Sequence, residues 1–174
     1  MRAIRLVILA AATVAAPAAF ADGWGRGPDV APVTNALYQR ECASCHMAYP
    51  PGLLPARSWQ RLMGSLADHF GDNAELPPED QAAITTFLTA NAADRAPEKR
   101  ARKIAASLRS GDAPLRITDT PYIKSKHDEL PIRLVTGNPK VKSLAQCNAC
   151  HTRAERGSFS ESQIDIPGHG RWED

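Results

Sequence analysis

The residues of this chain best suited to chemistry are its four cysteines, which occur in two copies of one short pattern. Residues 42–46 read Cys-Ala-Ser-Cys-His, and residues 147–151 read Cys-Asn-Ala-Cys-His. Cys-x-x-Cys-His is the spacing for covalent attachment of a c-type haem. One helical turn separates the two thiols, which add to the porphyrin as thioethers, and the histidine that follows lies under the iron as its proximal ligand.

The two patterns account for all the cysteines, so no thiol is left for another use. The sequence therefore predicts two covalently bound haem c groups. The predicted thioether positions are Cys42, Cys45, Cys147 and Cys150, and the predicted proximal ligands are His46 and His151.

Other uses of paired cysteines explain the pattern less well. Zinc sites built from two Cys-x-x-Cys pairs have spacers of about 15–20 residues, whereas about a hundred residues separate the pairs here. Disulfides would be allowed in an exported protein, but neither zinc nor disulfides require a histidine after each pair. A thioredoxin-like redox motif requires a βαβ context, which the sequence does not indicate.

The remaining histidines are candidates for the second axial position of each iron. His69 lies at the edge of an apolar stripe, and His127 follows Ile123 at helical spacing on the apolar side of another segment. We predict His69 and His127 as distal ligands, without assigning either one to a particular haem. His169 lies between two glycines in the C-terminal tail and is not predicted to bind iron.

Methionine is the competing distal ligand, and it raises the reduction potential relative to histidine. Once Met1 leaves with a predicted signal peptide, only Met47 and Met63 remain. Met47 follows a proximal histidine directly and is badly placed to reach the opposite haem face. Met63 lies within an apolar stripe, where packing is the commoner role. Two bis-histidine haems of low potential are therefore expected.

Closed irons favour outer-sphere electron transfer, because no substrate can bind without displacing a ligand. The chain is therefore predicted to be an electron carrier and not an enzyme. A carrier of this kind would pass electrons between a membrane-bound donor and a soluble redox partner. The alternative is a haem enzyme or ligand sensor with one open iron, similar to a dihaem peroxidase or to a protein that binds oxygen or nitric oxide.

Short helices and long loops are predicted to position these groups, with little or no β structure. A helix over residues 33–41 would deliver Cys42, and another would begin after Ser58 as its N-cap and end at Gly71. Further helices are predicted over residues 76–92, 98–109, from Thr120 onward and over 141–149, with a strand-like fragment at 115–118 and a surface tail from Gly157. Aromatic residues make up only 6% of the chain, so the haems themselves are expected to form the core of a mainly α fold.

The helix over residues 98–109 is predicted to carry a strongly basic outer face. Such a face is usually only solvated, and the alternative is a docking surface for an acidic partner or for haem propionates. The predicted outer residues are Lys99, Arg100, Arg102, Lys103 and Arg109.

The N-terminus has the three parts of a secretory signal peptide. A positively charged start is followed by an apolar run from Leu6 and by a small-residue cleavage site ending at Ala21. Three segments are therefore predicted: a cleaved signal over residues 1–21, a first haem-binding half over 22–94 and a second over 95–174, the two halves forming one compact unit. Since c-type haem is attached outside the cytoplasm, a periplasmic location is expected.

Several segments beyond the haem motifs resemble the bacterial diheme cytochrome c family. They include residues 46–59 (His-Met-Ala-Tyr-Pro-Pro through Pro-Ala-Arg-Ser-Trp), 66–71 (Leu-Ala-Asp-His-Phe-Gly), 115–118 and the second haem motif. The resemblance covers most of the mature chain. It implies a small periplasmic electron carrier with two bis-histidine haems. It also implies two redox partners, a monohaem oxygen-binding c-type cytochrome and a membrane b-type cytochrome.

Overall fold

The computed structural model of this protein describes residues 27–172, so the predicted signal peptide lies outside the described residues. The helices are α1 (Ala36–Cys42), α2 (Ala56–Met63), α3 (Pro78–Ala90), α4 (Lys99–Ala106), α5 (Pro121–His127) and α6 (Cys147–Cys150). Two short strands, β1 (Asp165–Ile166) and β2 (Gly170–Arg171), pair antiparallel. The prediction of a mainly α fold with short helices and little β structure is confirmed.

Single turns of 3-10 helix occur in the long connections between these elements. They lie at Pro51–Leu53, Leu66–Asp68, Ile117–Asp119, Ile132–Leu134, Ala154–Arg156 and Glu161–Gln163.

Local sequence signals explain where three of the helices begin. The side chain of Asn35 accepts a hydrogen bond of 2.8 Å from the backbone N–H of Tyr38 and so caps α1. Pro78 and Pro121 lie in the first turns of α3 and α5, where a missing N–H costs nothing and the proline ring favours the helical φ. The predicted starts of α3 and α5 agree with the structure.

Helix α2 differs from its prediction at both ends. It begins at Ala56, so Ser58 lies inside the helix and does not cap it. The cap comes from a distant residue, since the carboxylate of Asp94 accepts a hydrogen bond of 2.8 Å from the N–H of Ala56. The helix ends at Met63 because Gly64 is its C-cap, well before the predicted end at Gly71.

Three other predictions of local structure were wrong. The strand-like fragment at 115–118 leads into a 3-10 turn at Ile117–Asp119. The helix predicted over 141–149 is reduced to α6, because Lys142 has a φ of 66° and cannot continue a right-handed helix. The C-terminal tail is not confined to the surface, since Ile166 in β1 is buried.

Two clusters of buried apolar side chains hold the helices together. In the first, α2 packs on α3 around Trp59, Leu62, Ile84 and Leu88. The second joins residues from distant parts of the chain, namely Val30, Leu53, Ala93, Ala101 and Ile104. Because burial of such residues stabilises by about 1.5–3 kcal/mol per large side chain, the clusters supply a scaffold that the predicted haem core would complete.

Contacts also cross the predicted boundary at residue 94. The N–H of Val30 donates a hydrogen bond of 3.1 Å to the carbonyl of Gly157, and the N–H of Arg100 donates one of 3.2 Å to the carbonyl of Asp29. The division into two haem-binding halves stays a prediction.

Within the described part of the chain, none of the helices combines the length and the apolar character needed to span a membrane.

Candidate haem sites

The first Cys-x-x-Cys-His motif begins at the end of a helix. Cys42 is the last residue of α1 and is half-buried, Cys45 is exposed and His46 is half-buried. Burial raises the pKa of the Cys42 thiol to about 11, and burial likewise raises the pKa of Cys147 to about 11. The reactive cysteines of thioredoxin-like sites have lowered pKa values. The raised pKa values of Cys42 and Cys147 therefore do not fit a thioredoxin-like redox site.

His46 lies opposite His69, with ring centres 6.2 Å apart and ring planes inclined by 27°. The Nδ1 atom of His46 lies 2.8 Å from the backbone carbonyl oxygen of Met47. A carbonyl can only accept, so Nδ1 carries the proton in this contact. The other ring nitrogen, Nε2, is then the one left to bind a metal.

His69 is held by a tight turn. Its N–H donates a hydrogen bond of 2.7 Å to the carbonyl of Asp72, and the residues between, Phe70 and Gly71, have φ values of 60° and 102°. Positive φ is unfavourable for a bulky residue. The side chain of Phe70 is exposed and lies under the guanidinium of Arg116, whose Cζ is 3.9 Å from the ring centre.

The second motif forms α6, and His151 follows it directly. The ring of His151 lies opposite that of His127, with centres 6.1 Å apart and planes inclined by 74°. His127 is the last residue of α5, and its Nδ1 lies 2.8 Å from the carbonyl oxygen of Ile123 one turn earlier. As in the first pair, this contact leaves Nε2 of His127 for a metal.

Two of these histidines have lowered pKa values. Burial lowers the pKa of His151 to about 4, and the nearby His127 and Arg100 act in the same direction. Burial and the neighbouring His46 lower the pKa of His69. Neutral imidazole is the form that binds metals, so both rings are in the ligating state at neutral pH.

A cavity of about 420 Å³ lies beside the second motif. This volume falls within the range of about 300–1,000 Å³ for cofactor and small-molecule sites. The cavity is lined by residues of the motif and its surroundings, including His127, Cys147, Cys150, His151, Phe159 and Trp172.

The basic helix α4 contributes to this cavity and is not solely a solvated face. Arg100 was predicted on the outer face, but it turns inward because its Nη2 forms a 3.2 Å ion pair with Asp29 and its Nη1 donates to the Tyr122 hydroxyl at 3.3 Å. Arg100 and Lys103 both line the cavity wall. Lys99, Arg102, Lys103 and Arg109 are exposed, as predicted.

The facing rings fit a haem iron. Two imidazoles on opposite sides of one iron place their ring centres about 6 Å apart, given metal–nitrogen bonds of about 2 Å. The observed separations of 6.2 and 6.1 Å match this arrangement. The buried Nδ1 atoms of His69 and His151 have no hydrogen-bond partner in the described structure.

The competing ligand candidates lie elsewhere. Met63 is buried in the first apolar cluster, and Met47 is also buried. The ring of His169 packs against Trp172.

Sequence reasoning missed two aromatic residues at these sites. The ring of Tyr49 stacks on His46 at 4.7 Å, and the ring of Phe159 lies edge-on to His151 at 5.3 Å. Tyr49 follows His46 by three positions, and this spacing could have identified it. Phe159 follows its histidine by eight positions, through a bend at Gly157 that the sequence pattern does not reveal.

Comparisons with known proteins identify the family of this chain. A family model described as dihaem cytochrome c matches residues 38–159. This chain belongs to the dihaem cytochrome c family. The solved structure of a diheme cytochrome type c from Shewanella baltica is 44% identical, with a TM-score of 0.67, over 80% of this chain and 98% of that one. A diheme cytochrome c from Rhodobacter sphaeroides is 46% identical, with a TM-score of 0.66, over 75% of this chain and 100% of that one.

No curated protein matches the sequence. The family membership confirms the prediction of two c-type haems, and it is consistent with electron transfer. The roles of individual residues in this dihaem cytochrome are not decided by these matches and stay predictions.

Proposed function

We propose that this dihaem cytochrome is a periplasmic electron carrier with two six-coordinate, bis-histidine haems. The haem bound to Cys42 and Cys45 has His46 and His69 as its axial ligands. The haem bound to Cys147 and Cys150 has His151 and His127. Each distal histidine thus serves the haem of its own half, and the ligands are not crossed.

The observation that supports this proposal is the presence of two facing pairs of imidazoles, each beside one haem motif. The ring separations of 6.2 and 6.1 Å leave room for one iron between each pair. An iron with two protein ligands has no position for a substrate, so the arrangement favours a carrier over an enzyme.

The haems supply a one-electron couple, and the protein sets its surroundings. Backbone carbonyls of Met47 and Ile123 orient one histidine of each pair and increase its basicity as a ligand. Histidine on both faces, in place of methionine, favours a low potential. Little ligand rearrangement is needed when an electron enters or leaves such a site.

The location and the partners rest on the predicted signal peptide and on the family resemblance. We propose a membrane b-type cytochrome as donor and a monohaem oxygen-binding c-type cytochrome as partner. The test measures electron exchange between this protein and each purified candidate at low salt. A candidate that shows no exchange is excluded as a partner.

The first experiment is the spectrum of the dithionite-reduced protein before and after carbon monoxide, with the haem content per chain measured in the same sample. We expect two haems per chain and an unchanged spectrum. Rapid binding of carbon monoxide at one haem would contradict the carrier and support the enzyme or sensor alternative.

Single substitutions assign the ligands. His69→Ala and His127→Ala are each expected to open one haem to carbon monoxide, with both thioether attachments retained. His169→Ala is the matched control, because its ring packs against Trp172, and it is expected to bind none. An unchanged spectrum in His69→Ala would remove that residue from the ligand set.

A further inference from the structure

Tyr49 contacts a residue of each haem site. Its ring stacks on that of His46, with centres 4.7 Å apart and planes inclined by 22°. Its hydroxyl donates a hydrogen bond of 2.8 Å to the backbone carbonyl oxygen of Ala145, which precedes Cys147 by two residues. The two partners of this one side chain therefore belong to different halves of the protein.

The carbonyl oxygen of Ala145 also lies close to the second haem motif. It is 3.6 Å from the Sγ atom of Cys147, the sulfur that forms a thioether with the second haem. A continuous series of contacts thus leads from the His46 ring through Tyr49 and the Ala145 carbonyl to the Cys147 sulfur.

The surroundings hold Tyr49 in this position. Its half-buried side chain packs against both apolar clusters. Its own carbonyl oxygen accepts a hydrogen bond of 3.0 Å from the hydroxyl of the buried Tyr38. The phenol is therefore fixed by contacts along its whole length, from the backbone to the hydroxyl.

We propose that Tyr49 is the contact through which the two haem sites exchange electrons. This inference rests on the proposed axial role of His46. In the exchange, a ferrous iron at one site becomes ferric while the ferric iron at the other becomes ferrous. The phenol of Tyr49 stays protonated and unoxidised, and no proton moves.

The hydroxyl matters because electronic coupling falls steeply with the gap between non-bonded atoms. Oxygen atoms joined by an O–H···O hydrogen bond are about 2.7–2.8 Å apart, whereas non-bonded contacts are about 3.5–4.0 Å. Loss of the hydroxyl in Tyr49→Phe replaces the shorter contact with a wider gap and leaves the ring on His46.

The test compares electron exchange between the haems in the wild-type protein, Tyr49→Phe and Tyr49→Leu. The rate is obtained from the exchange broadening of the haem methyl NMR signals in half-reduced samples, extrapolated to zero protein concentration so that only intramolecular exchange remains. We expect exchange to be several-fold slower in Tyr49→Phe and slower again in Tyr49→Leu. Absorption and ferric EPR spectra of Tyr49→Phe should equal those of the wild type, because the His46 contact is retained.

Tyr122→Phe is the matched control, since it removes another half-buried tyrosine hydroxyl, one whose hydrogen bond is made with Arg100. Wild-type exchange in Tyr49→Phe would overturn the proposal. Equal slowing in Tyr122→Phe and Tyr49→Phe would also overturn it, because the effect would then not depend on the Tyr49 contact. If Tyr49→Leu loses a haem, Tyr49→Phe decides alone.

These outcomes are separate from a failure of the carrier function. Carbon monoxide binding by the wild-type protein would contradict the closed irons, whereas the exchange rate between two attached haems is measured without any partner or substrate.

Discussion

The two histidine pairs differ in the angle between their rings, and this difference predicts two distinct EPR signals from one protein. The rings of His46 and His69 are inclined by only 27°, whereas those of His127 and His151 are inclined by 74°. The orientation of each imidazole plane determines which iron d-orbital it raises in energy.

Nearly parallel planes raise the same d-orbital, so the energies of the dxz and dyz orbitals differ strongly. This gives a rhombic low-spin ferric signal. Nearly perpendicular planes raise both orbitals alike and leave them almost degenerate, which gives a strongly anisotropic signal with a large maximum g-value. We therefore expect a rhombic signal from the first haem and a large-g signal from the second.

The assay is low-temperature EPR of the fully oxidised protein, with each signal integrated against the haem content. His69→Ala is expected to remove the rhombic signal and leave the large-g signal unchanged, and His127→Ala is expected to do the reverse. His169→Ala should retain both signals at equal intensity.

Two results would refute the reasoning. Two rhombic signals of equal shape would mean that the ring planes at the second site are not perpendicular when iron is bound. Loss of the large-g signal in His69→Ala would mean that the distal histidines are crossed between the haems, contrary to the pairing seen in the structure.

Three further substitutions test the scaffold and the surface around the haems. In Gly157→Ala, the φ of 72° would cost about 1–2 kcal/mol, and the new methyl would collide with the Val30 carbonyl. We therefore expect a lower denaturation midpoint, measured by circular dichroism. Gly27→Ala is the control, because the space around Gly27 is open, and it should show no change. Asp94→Ala removes the cap of α2 and is expected to lower the free energy of unfolding by about 1 kcal/mol. Asp94→Asn can still accept the hydrogen bond from the N–H of Ala56 and should recover most of this stability. Equal losses of stability in the two variants would contradict a capping role. The third change reverses the charge on the exposed face of α4 by replacing Lys99, Arg102 and Lys103 with glutamate. It is expected to slow electron exchange with an acidic partner at low salt and to have no effect at high salt. Unchanged stopped-flow rates at low salt would mean that the face is only solvated.

Haem attachment was predictable from the sequence because its chemistry is local. Two thiols and a histidine within five residues are brought together by a single helical turn, whatever the rest of the chain does. The starts of α3 and α5 were predictable for the same reason, since Pro78 and Pro121 act within their own first turns.

The failures all involve partners that are distant in sequence or a backbone angle that composition does not reveal. Asp94 caps α2 from 38 positions away, so Ser58 was mistaken for the cap. Arg100 belongs to a run of basic residues, and only its ion pair with Asp29, 71 positions earlier, turns it inward. Positive φ at Lys142 stops a helix that the residue pattern favoured.

The sequence by itself determined that the chain carries two haem motifs and that His69 and His127 are the residues best placed to complete them. Only the tertiary structure decided that His69 faces His46 and that His127 faces His151, each with its own ring angle. The physical reason is that a pairing of rings depends on how helices and turns pack in space, and a spacing along the chain does not contain that information.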